Sequence, residues 1–243
     1  MVASLRANSS FPRQQRTEAS QAQMRKRTLV VIICSALVTA VVHAQDKPLW
    51  EPPRIGVPSI AETAQPNHVQ DLVSKITIGS FNVLLEDTPL EQVGTHFSAT
   101  IGRSGDAGES LAWVCLHGQD RIGQWVLWIE SGEIHGPMTG GFLLMRRTAN
   151  NRLDSRCKPA GNGRISLPIP LSLGMSRAQV VAALGPPISP SGSHLFYYHH
   201  HVVRLSPKAG SAAEPFDLSN SLYIRLNSSN KVDAFQVWRT TTS

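Results

Sequence analysis

The stretch 173-LGMSRAQVVAALGPP-187 contains a short helix together with the signals that start and stop it. Ser176 and Gln179 have the spacing of a capping box, in which each side chain bonds the backbone amide of the other residue. Gly185 permits a left-handed cap, and the two prolines that follow it cannot continue a helix. The apolar face of this predicted helix consists of Val180, Val181 and Leu184.

A similar start signal occurs earlier in the chain, at residues 88–91. Thr88 can cap the first turn, Pro89 suits the first helical position, and Glu91 can complete a capping box. The apolar residues that follow at helical spacing are Leu90, Val93 and Phe97. The sequence therefore predicts two short helices, one in each half of the chain.

Each predicted helix is followed by three strand-like runs with turn residues between them. The runs are residues 111–117, 124–130 and 141–147 in the first half, and 194–205, 221–226 and 232–239 in the second. A sheet of two or three strands cannot hide its apolar face alone, so each helix would cover one face. We predict an α+β fold of two tandem units, each a short helix followed by a three-stranded antiparallel sheet. The units would span residues 76–164 and 165–243, and the sequence leaves open whether they share one sheet or pack face to face.

The N-terminal part of the chain has the features of an export signal. Residues 24–44 combine three basic residues, an apolar run without charge, and a Val-His-Ala cleavage site that ends at Ala44. The apolar run is shorter than the roughly 20 residues that span a bilayer, so a retained anchor is the less favoured alternative. We assign residues 1–44 to an extension and signal peptide, and residues 45–75 to a proline-containing lead-in. This predicts a periplasmic or secreted protein without a stable membrane anchor.

The positive charge of the chain is concentrated in that leader. The whole chain has 23 Lys and Arg residues and 17 Asp and Glu residues. Residues 1–44 contain six of the basic residues and one of the acidic ones. The remainder is therefore close to neutral, whereas a nucleic-acid-binding domain needs a basic patch. We predict no nucleic-acid partner.

Two cysteines remain after signal cleavage. Cys34 lies in the apolar run behind Ile33, where a lipoprotein signal needs a small residue, so lipidation is not expected. Cys115 and Cys157 would pair, because two cysteines in an oxidising compartment usually do. The competing interpretation makes Cys115 a nucleophile with His117 as its base; the second cysteine and the export signal favour the disulfide.

The run at residues 173–187 resembles the signature of the SmpA/BamE family of outer-membrane assembly lipoproteins, and residues 195–198 and Val232 fit the strands that follow it there. The resemblance extends over residues 165–239. The tandem arrangement of the two halves is similar to that of the β-lactamase inhibitory protein. The first resemblance implies a role in envelope assembly, and the second implies a secreted inhibitor of an enzyme.

No set of residues assembles into catalytic chemistry. Gly108-Glu109-Ser110-Leu111-Ala112 nearly matches the G-x-S-x-G elbow, but Ala112 replaces the second glycine and a strand follows the serine. His199 and His201 would share a strand face, with His194 as a possible third metal ligand. We interpret residues 108–112 as a glycine-rich turn and the histidine run as an exposed polar strand edge. We therefore predict a non-enzyme with no metal site and no cofactor.

The large aromatic residues instead suggest binding to a protein. By strand alternation, the face that covers the helices would carry Leu127, Ile129, Leu222, Ile224, Phe235 and Val237. The opposite face would carry the candidate protein-binding residues Trp128, Tyr223, Arg225 and Trp238, which are residue types that anchor interfaces. We predict an exported protein-binding or envelope-assembly protein that presents a sheet surface to a partner. A secreted enzyme inhibitor is the alternative.

Overall fold

The structure is a computed structural model that describes residues 48–55, 72–106, 108–149, 151–161, 163–188, 192–204 and 215–242. All of these residues belong to one compact unit, Lys47–Ser243. The predicted signal peptide lies outside the described residues, and the lead-in at residues 45–75 lies partly outside them.

The described residues form eleven strands, two α-helices and one short 3-10 helix, Glu133–His135. The first half contains β1 Lys75–Ile78, β2 Phe81–Leu84, α1 Leu90–Phe97, β3 Ile101–Ser104, β4 Leu111–Gln119, β5 Gln124–Gly132 and β6 Gly141–Arg146. The second half contains β7 Lys158–Pro159, β8 Ile165–Ser166, α2 Arg177–Leu184, β9 His194–Arg204, β10 Pro215–Leu226 and β11 Val232–Thr242.

Strands from both halves of the chain share one eight-stranded sheet. Its order is β3-β4-β5-β6-β11-β10-β9, with the short β7 added in parallel to β4. The pairing of β6 with β11 joins the two halves, from Gly141 opposite Trp238 to Met145 opposite Ala234. A separate three-stranded sheet has the order β2-β1-β8.

The predicted fold class is therefore wrong. The chain is mostly β, and its sheets are not two three-stranded sheets that each belong to one helix. The six predicted strands are present, but β6 and β11 pair with each other across the boundary between the predicted units. Pairing satisfies the backbone groups that both strands would otherwise leave unpaired at an edge. Strand alternation predicts which side chains share a face, but it contains no information on which strand lies alongside.

The two helix starts differ in how they are capped. At α2, the Ser176 side chain accepts a hydrogen bond from the Gln179 amide, and the Gln179 side chain bonds the Ser176 amide, so the predicted capping box is confirmed. At α1, Pro89 is the N-cap residue and there is no side-chain cap. The Thr88 hydroxyl instead accepts a hydrogen bond from the Leu84 amide at 2.9 Å, so the predicted first capping box is wrong.

One face of the eight-stranded sheet, here called the helix face, packs against both helices and the small sheet. Val93 of α1, Val180 of α2 and Ile76 of β1 join this core, and each is fully buried. The sheet side chains in it include Leu127, Ile129, Phe142, Leu222, Ile224, Phe235 and Val237. The helix face is thus filled by side chains that strand alternation predicts to point the same way.

Candidate functional site

The opposite face of the sheet, here called the aromatic face, is defined by two neighbouring rows of cross-strand partners. The first row runs across six strands through Cys115, Trp128, Leu143, Gln236, Tyr223 and Phe196. The second row runs through Trp113, Glu130, Gly141, Trp238, Ser221 and Tyr198. All four residues predicted from the sequence as protein-binding candidates are on this face, as alternation requires.

A segment of the lead-in covers the β4–β5 part of the aromatic face. The ring of Trp50 meets that of Trp113 edge to face, with centroids 5.8 Å apart. The Trp128 indole N–H donates a hydrogen bond to the Trp50 carbonyl at 2.9 Å. The Arg156 guanidinium lies 4.2 Å from the centroid of the Trp50 ring, where a cation interacts favourably with an indole.

The predicted disulfide joins this cover to the sheet. Cys115 and Cys157 are bonded, with their Cα atoms 4.6 Å apart, so the alternative of a free Cys115 nucleophile beside His117 is wrong. Cys157 belongs to the segment that reaches the lead-in, because the Leu49 amide donates to the Arg152 carbonyl at 2.8 Å. The disulfide therefore holds the segment around Cys157 on β4. That segment in turn holds the lead-in segment around Leu49.

The four predicted protein-binding residues differ in their exposure. Trp128 is fully buried and Tyr223 is only 6% exposed, so both belong to the hydrophobic core of this face. Trp238 is partly exposed. Arg225 is partly exposed as well and forms an ion pair with Asp233 at 2.9 Å. Of the four, Trp238 and Arg225 are the ones that a partner could touch in this conformation.

The ring of Trp238 lies on glycines instead of side chains. A Cβ atom placed on Gly141, its direct cross-strand partner, would be 2.9 Å from the indole ring, and one placed on Gly132 would be 3.6 Å from it. The imidazole of His135 is tilted against the indole, with ring centroids 5.7 Å apart. Glycine at position 141 allows the Trp238 ring to approach β6 closely, and Trp238 remains partly exposed.

Tyr198 is a candidate that the sequence reasoning missed. It is partly exposed and lies in the same row as Trp238, with Ser221 of β10 between them. Two strand spacings separate the two aromatic residues, which is about 10 Å. Tyr198 alternates with Phe196 along β9, and this alternation was the sequence signal that could have identified it. In the structure the two rings stack, with centroids 6.3 Å apart.

Glu130 is the second residue that the sequence reasoning missed. Its side chain is fully buried on the aromatic face, and it accepts a hydrogen bond from the Gln236 side chain at 2.9 Å. Burial raises the pKa of the Glu130 carboxyl to about 8, although the hydrogen bond from Gln236 acts in the opposite direction. The carboxyl is therefore protonated at neutral pH. A single acid at the end of an apolar strand run was the available signal.

The histidine run does not bring three ligands together. His199 and His201 are neighbours, with ring nitrogens 2.6 Å apart, whereas His194 lies on the aromatic face by alternation. His200 faces Asp217 at 3.3 Å. Within the ranges that the structure covers, there is no group of three or more metal-ligating side chains. Ser110 is followed by β4, so the strand-to-helix turn of a nucleophile elbow is not formed there.

Comparison of the chain with protein-family models, with curated proteins and with solved structures finds no match. The resemblance to the SmpA/BamE family and the similarity to the β-lactamase inhibitory protein therefore remain predictions from the residues that suggest them. Among the described residues, no helix is long and apolar enough to cross a membrane.

Proposed function

We propose that this chain is an exported, non-catalytic protein-binding protein that presents the β9–β11 part of its aromatic face to a protein partner. The observation that supports this most directly is the row of Trp238, Ser221 and Tyr198, in which a small residue separates two partly exposed aromatic rings. Large aromatic residues with open ring surface are frequent anchors of protein interfaces.

The covered part of the same face acts as a support for this surface. Trp128 of β5 is buried beneath the lead-in segment, and Tyr223 of β10 is buried against Phe196 of β9. Arg225 adds a guanidinium at the margin, already oriented by two hydrogen bonds to Asp233. A partner would meet a surface that is largely preorganised, and preorganisation lowers the entropic cost of binding.

The proposed compartment is the periplasm or the extracellular space. The Cys115–Cys157 disulfide is compatible with an oxidising compartment, where such bonds persist. The proposed role within that compartment is envelope assembly, which follows the resemblance of residues 173–187 to the SmpA/BamE family.

A site-specific photocrosslinking experiment tests the binding surface. A photoreactive amino acid is placed at Ser221, between Trp238 and Tyr198, and in a control protein at Ser166, an exposed serine of the small sheet. We expect a discrete protein adduct from position 221 that is absent from position 166. Subunits of an envelope-assembly machine would support the proposed role. A single soluble enzyme would favour the inhibitor alternative.

The affinity of the trapped partner then provides a quantitative test. Trp238→Ala should weaken binding by about 2 kcal/mol, which is roughly 30-fold in Kd. Leu84→Ala is the matched control, because Leu84 is an exposed apolar residue, 40% accessible, on the small sheet. Equal adducts from both serine positions, or unchanged affinity of the folded Trp238→Ala protein, would rule out this surface.

A further inference from the structure

A cleft of about 980 Å³ opens on the helix face, away from the aromatic face. It lies between the turn that joins β4 to β5 and the connection from β8 to α2. Three side chains that are almost completely buried in the protein form its floor: Trp125, Leu144 and Phe235. The volume is within the range of about 300–1,000 Å³ that is typical of sites for small molecules.

The walls of the cleft combine apolar and polar surface in similar amounts. Strand β8 contributes Ile165, and the connection that follows it contributes Leu167, Leu171 and Leu173. On the other side, Ile122 at the tip of the β4–β5 turn is 68% exposed and adds apolar surface to the wall. Its Cδ1 atom would be 2.9 Å from a Cβ atom on Gly174, so the absence of a side chain there lets Ile122 reach across. An apolar body would fit against these walls.

The charged groups at the mouth of the cleft are predominantly positive. Arg121 on the turn and Arg164, which directly precedes β8, both line it and are exposed. Among the described residues, no carboxylate forms an ion pair with either guanidinium. Asp120, the acidic residue of the lining, is already paired with Arg146 at 2.6 Å. Two guanidinium groups are thus available to an anion.

We infer that this cleft binds a small aliphatic anion, with its apolar chain against the accessible side chains of Ile122, Ile165 and Leu167 and its head group between Arg121 and Arg164. The guanidinium fork matches the geometry of a carboxylate or a phosphate, and both head groups offer the same pair of acceptor oxygens. The site is separate from the aromatic face, so it is independent of the protein-binding function proposed above.

Calorimetric titration of the purified protein with three compounds of equal chain length tests the inference. The probes are dodecanoate and dodecyl phosphate, both below their micelle-forming concentrations, and dodecanol below its solubility limit. We expect saturable one-to-one binding of at least one of the two anions. The alcohol should bind more weakly than this anion, by a factor of about ten at least. The preferred anion identifies the head group. Affinity for the anion should fall as salt is added, because the mouth is solvent-exposed.

Three variants locate the ligand. Arg121→Gln with Arg164→Gln should weaken anion binding about tenfold or more and leave alcohol binding unchanged. Arg103→Gln is the matched control, because Arg103 is an exposed arginine on β3 outside the lining. Ser172→Trp places a large side chain in the cleft from an exposed lining position and should abolish binding of all three probes.

The binding results distinguish this site from the rest of the molecule. Circular dichroism and thermal unfolding confirm that each variant is folded before titration. Absence of saturable binding to the wild type, equal affinity for the alcohol and the anions, or unchanged binding in the folded Ser172→Trp protein would each overturn the inference. Trp238 lies outside the lining of the cleft, so Trp238→Ala should bind the probes with the affinity of the wild type. The result of this test is therefore independent of whether the aromatic face binds a protein.

Discussion

The two faces of the eight-stranded sheet are buried in different ways. The helix face is covered by regular elements, α1, α2 and the small sheet, whose apolar side chains pack directly on it. The β4–β5 part of the aromatic face is covered instead by two irregular segments, which are held there by a disulfide and a few backbone contacts. Burial of the first face is thus inherent in the secondary structure, while burial of the second depends on a covalent link.

The largest effect that probes this difference is expected at Trp128. Trp128→Ala removes a fully buried indole and leaves the Trp50 carbonyl without its donor, so it should cost about 3–5 kcal/mol of unfolding free energy. Phe142→Ala is the reference on the helix face and should cost a similar amount. Chemical denaturation measures both. A loss below about 1 kcal/mol at Trp128 alone would mean that the cover is open in solution.

Loss of the disulfide should have the next largest effect. Cys115→Ala with Cys157→Ala removes a link between residues that are 42 positions apart, which should cost about 2–4 kcal/mol. We also expect faster amide hydrogen exchange at Leu49, whose amide is bonded to Arg152 next to the bridged segment. Amides of α2 serve as the internal control and should change only with global stability. Unchanged exchange at Leu49 would show that the cover holds without the bridge.

The features that could be predicted from the sequence are local ones. Leu127 and Ile129 were placed on the helix face because alternation within a single strand determines the side on which a residue lies. The Ser176–Gln179 capping box is equally local and was predicted correctly. The disulfide could be predicted because only two cysteines remained once the signal peptide was set aside.

The features that could not be predicted depend on long-range contacts. Trp50 covers Trp128 from 78 positions away, and the proline-containing lead-in has no periodicity that indicates burial. Whether the two halves share one sheet stayed open in the sequence, because the lateral neighbour of a strand leaves no mark in its side-chain alternation, and the pairing of β6 with β11 shows that they do. Consequently, Trp128 and Trp238 look alike in the sequence, although one is buried and the other partly exposed.

The buried Glu130 makes the stability of the aromatic face dependent on pH. Burial raises its pKa from 4.5 to about 8 in the folded state, so between these values the folded protein holds a proton that the unfolded chain releases. The contribution of Glu130 to stability should therefore be greatest below pH 4.5, fall as pH rises towards 8, and level off above it. The slope contributed by this one group is at most about 1.4 kcal/mol per pH unit.

Glu130→Gln isolates this contribution. The amide has nearly the same shape and no charge, so the variant should gain stability over the wild type as pH rises from 5 to 8. His117 contributes a slope of opposite sign, because burial and the nearby Arg147 lower its pKa. The measured quantity is accordingly the difference in unfolding free energy between wild type and variant at each pH. A difference that does not change with pH would show that Glu130 is ionised in the folded protein.

The smallest effects are expected where a tryptophan ring covers a glycine on the neighbouring strand, which occurs on both faces. Trp113 lies over Gly102 on the aromatic face, and Trp125 lies over Gly118 on the helix face. A Cβ atom would be 2.3 Å from the Trp113 ring at the first glycine and 2.2 Å from the Trp125 ring at the second, so either alanine variant forces a ring to move. Each should cost about 1–3 kcal/mol of unfolding free energy.

Gly132→Ala is the control for these two variants, because its Cβ atom would have no neighbour closer than 3.4 Å. It should be neutral or slightly stabilising. If Gly102→Ala is as stable as this control while Gly118→Ala is not, the Trp113 ring beneath the cover of the aromatic face moves at a lower cost in free energy than the Trp125 ring on the helix face.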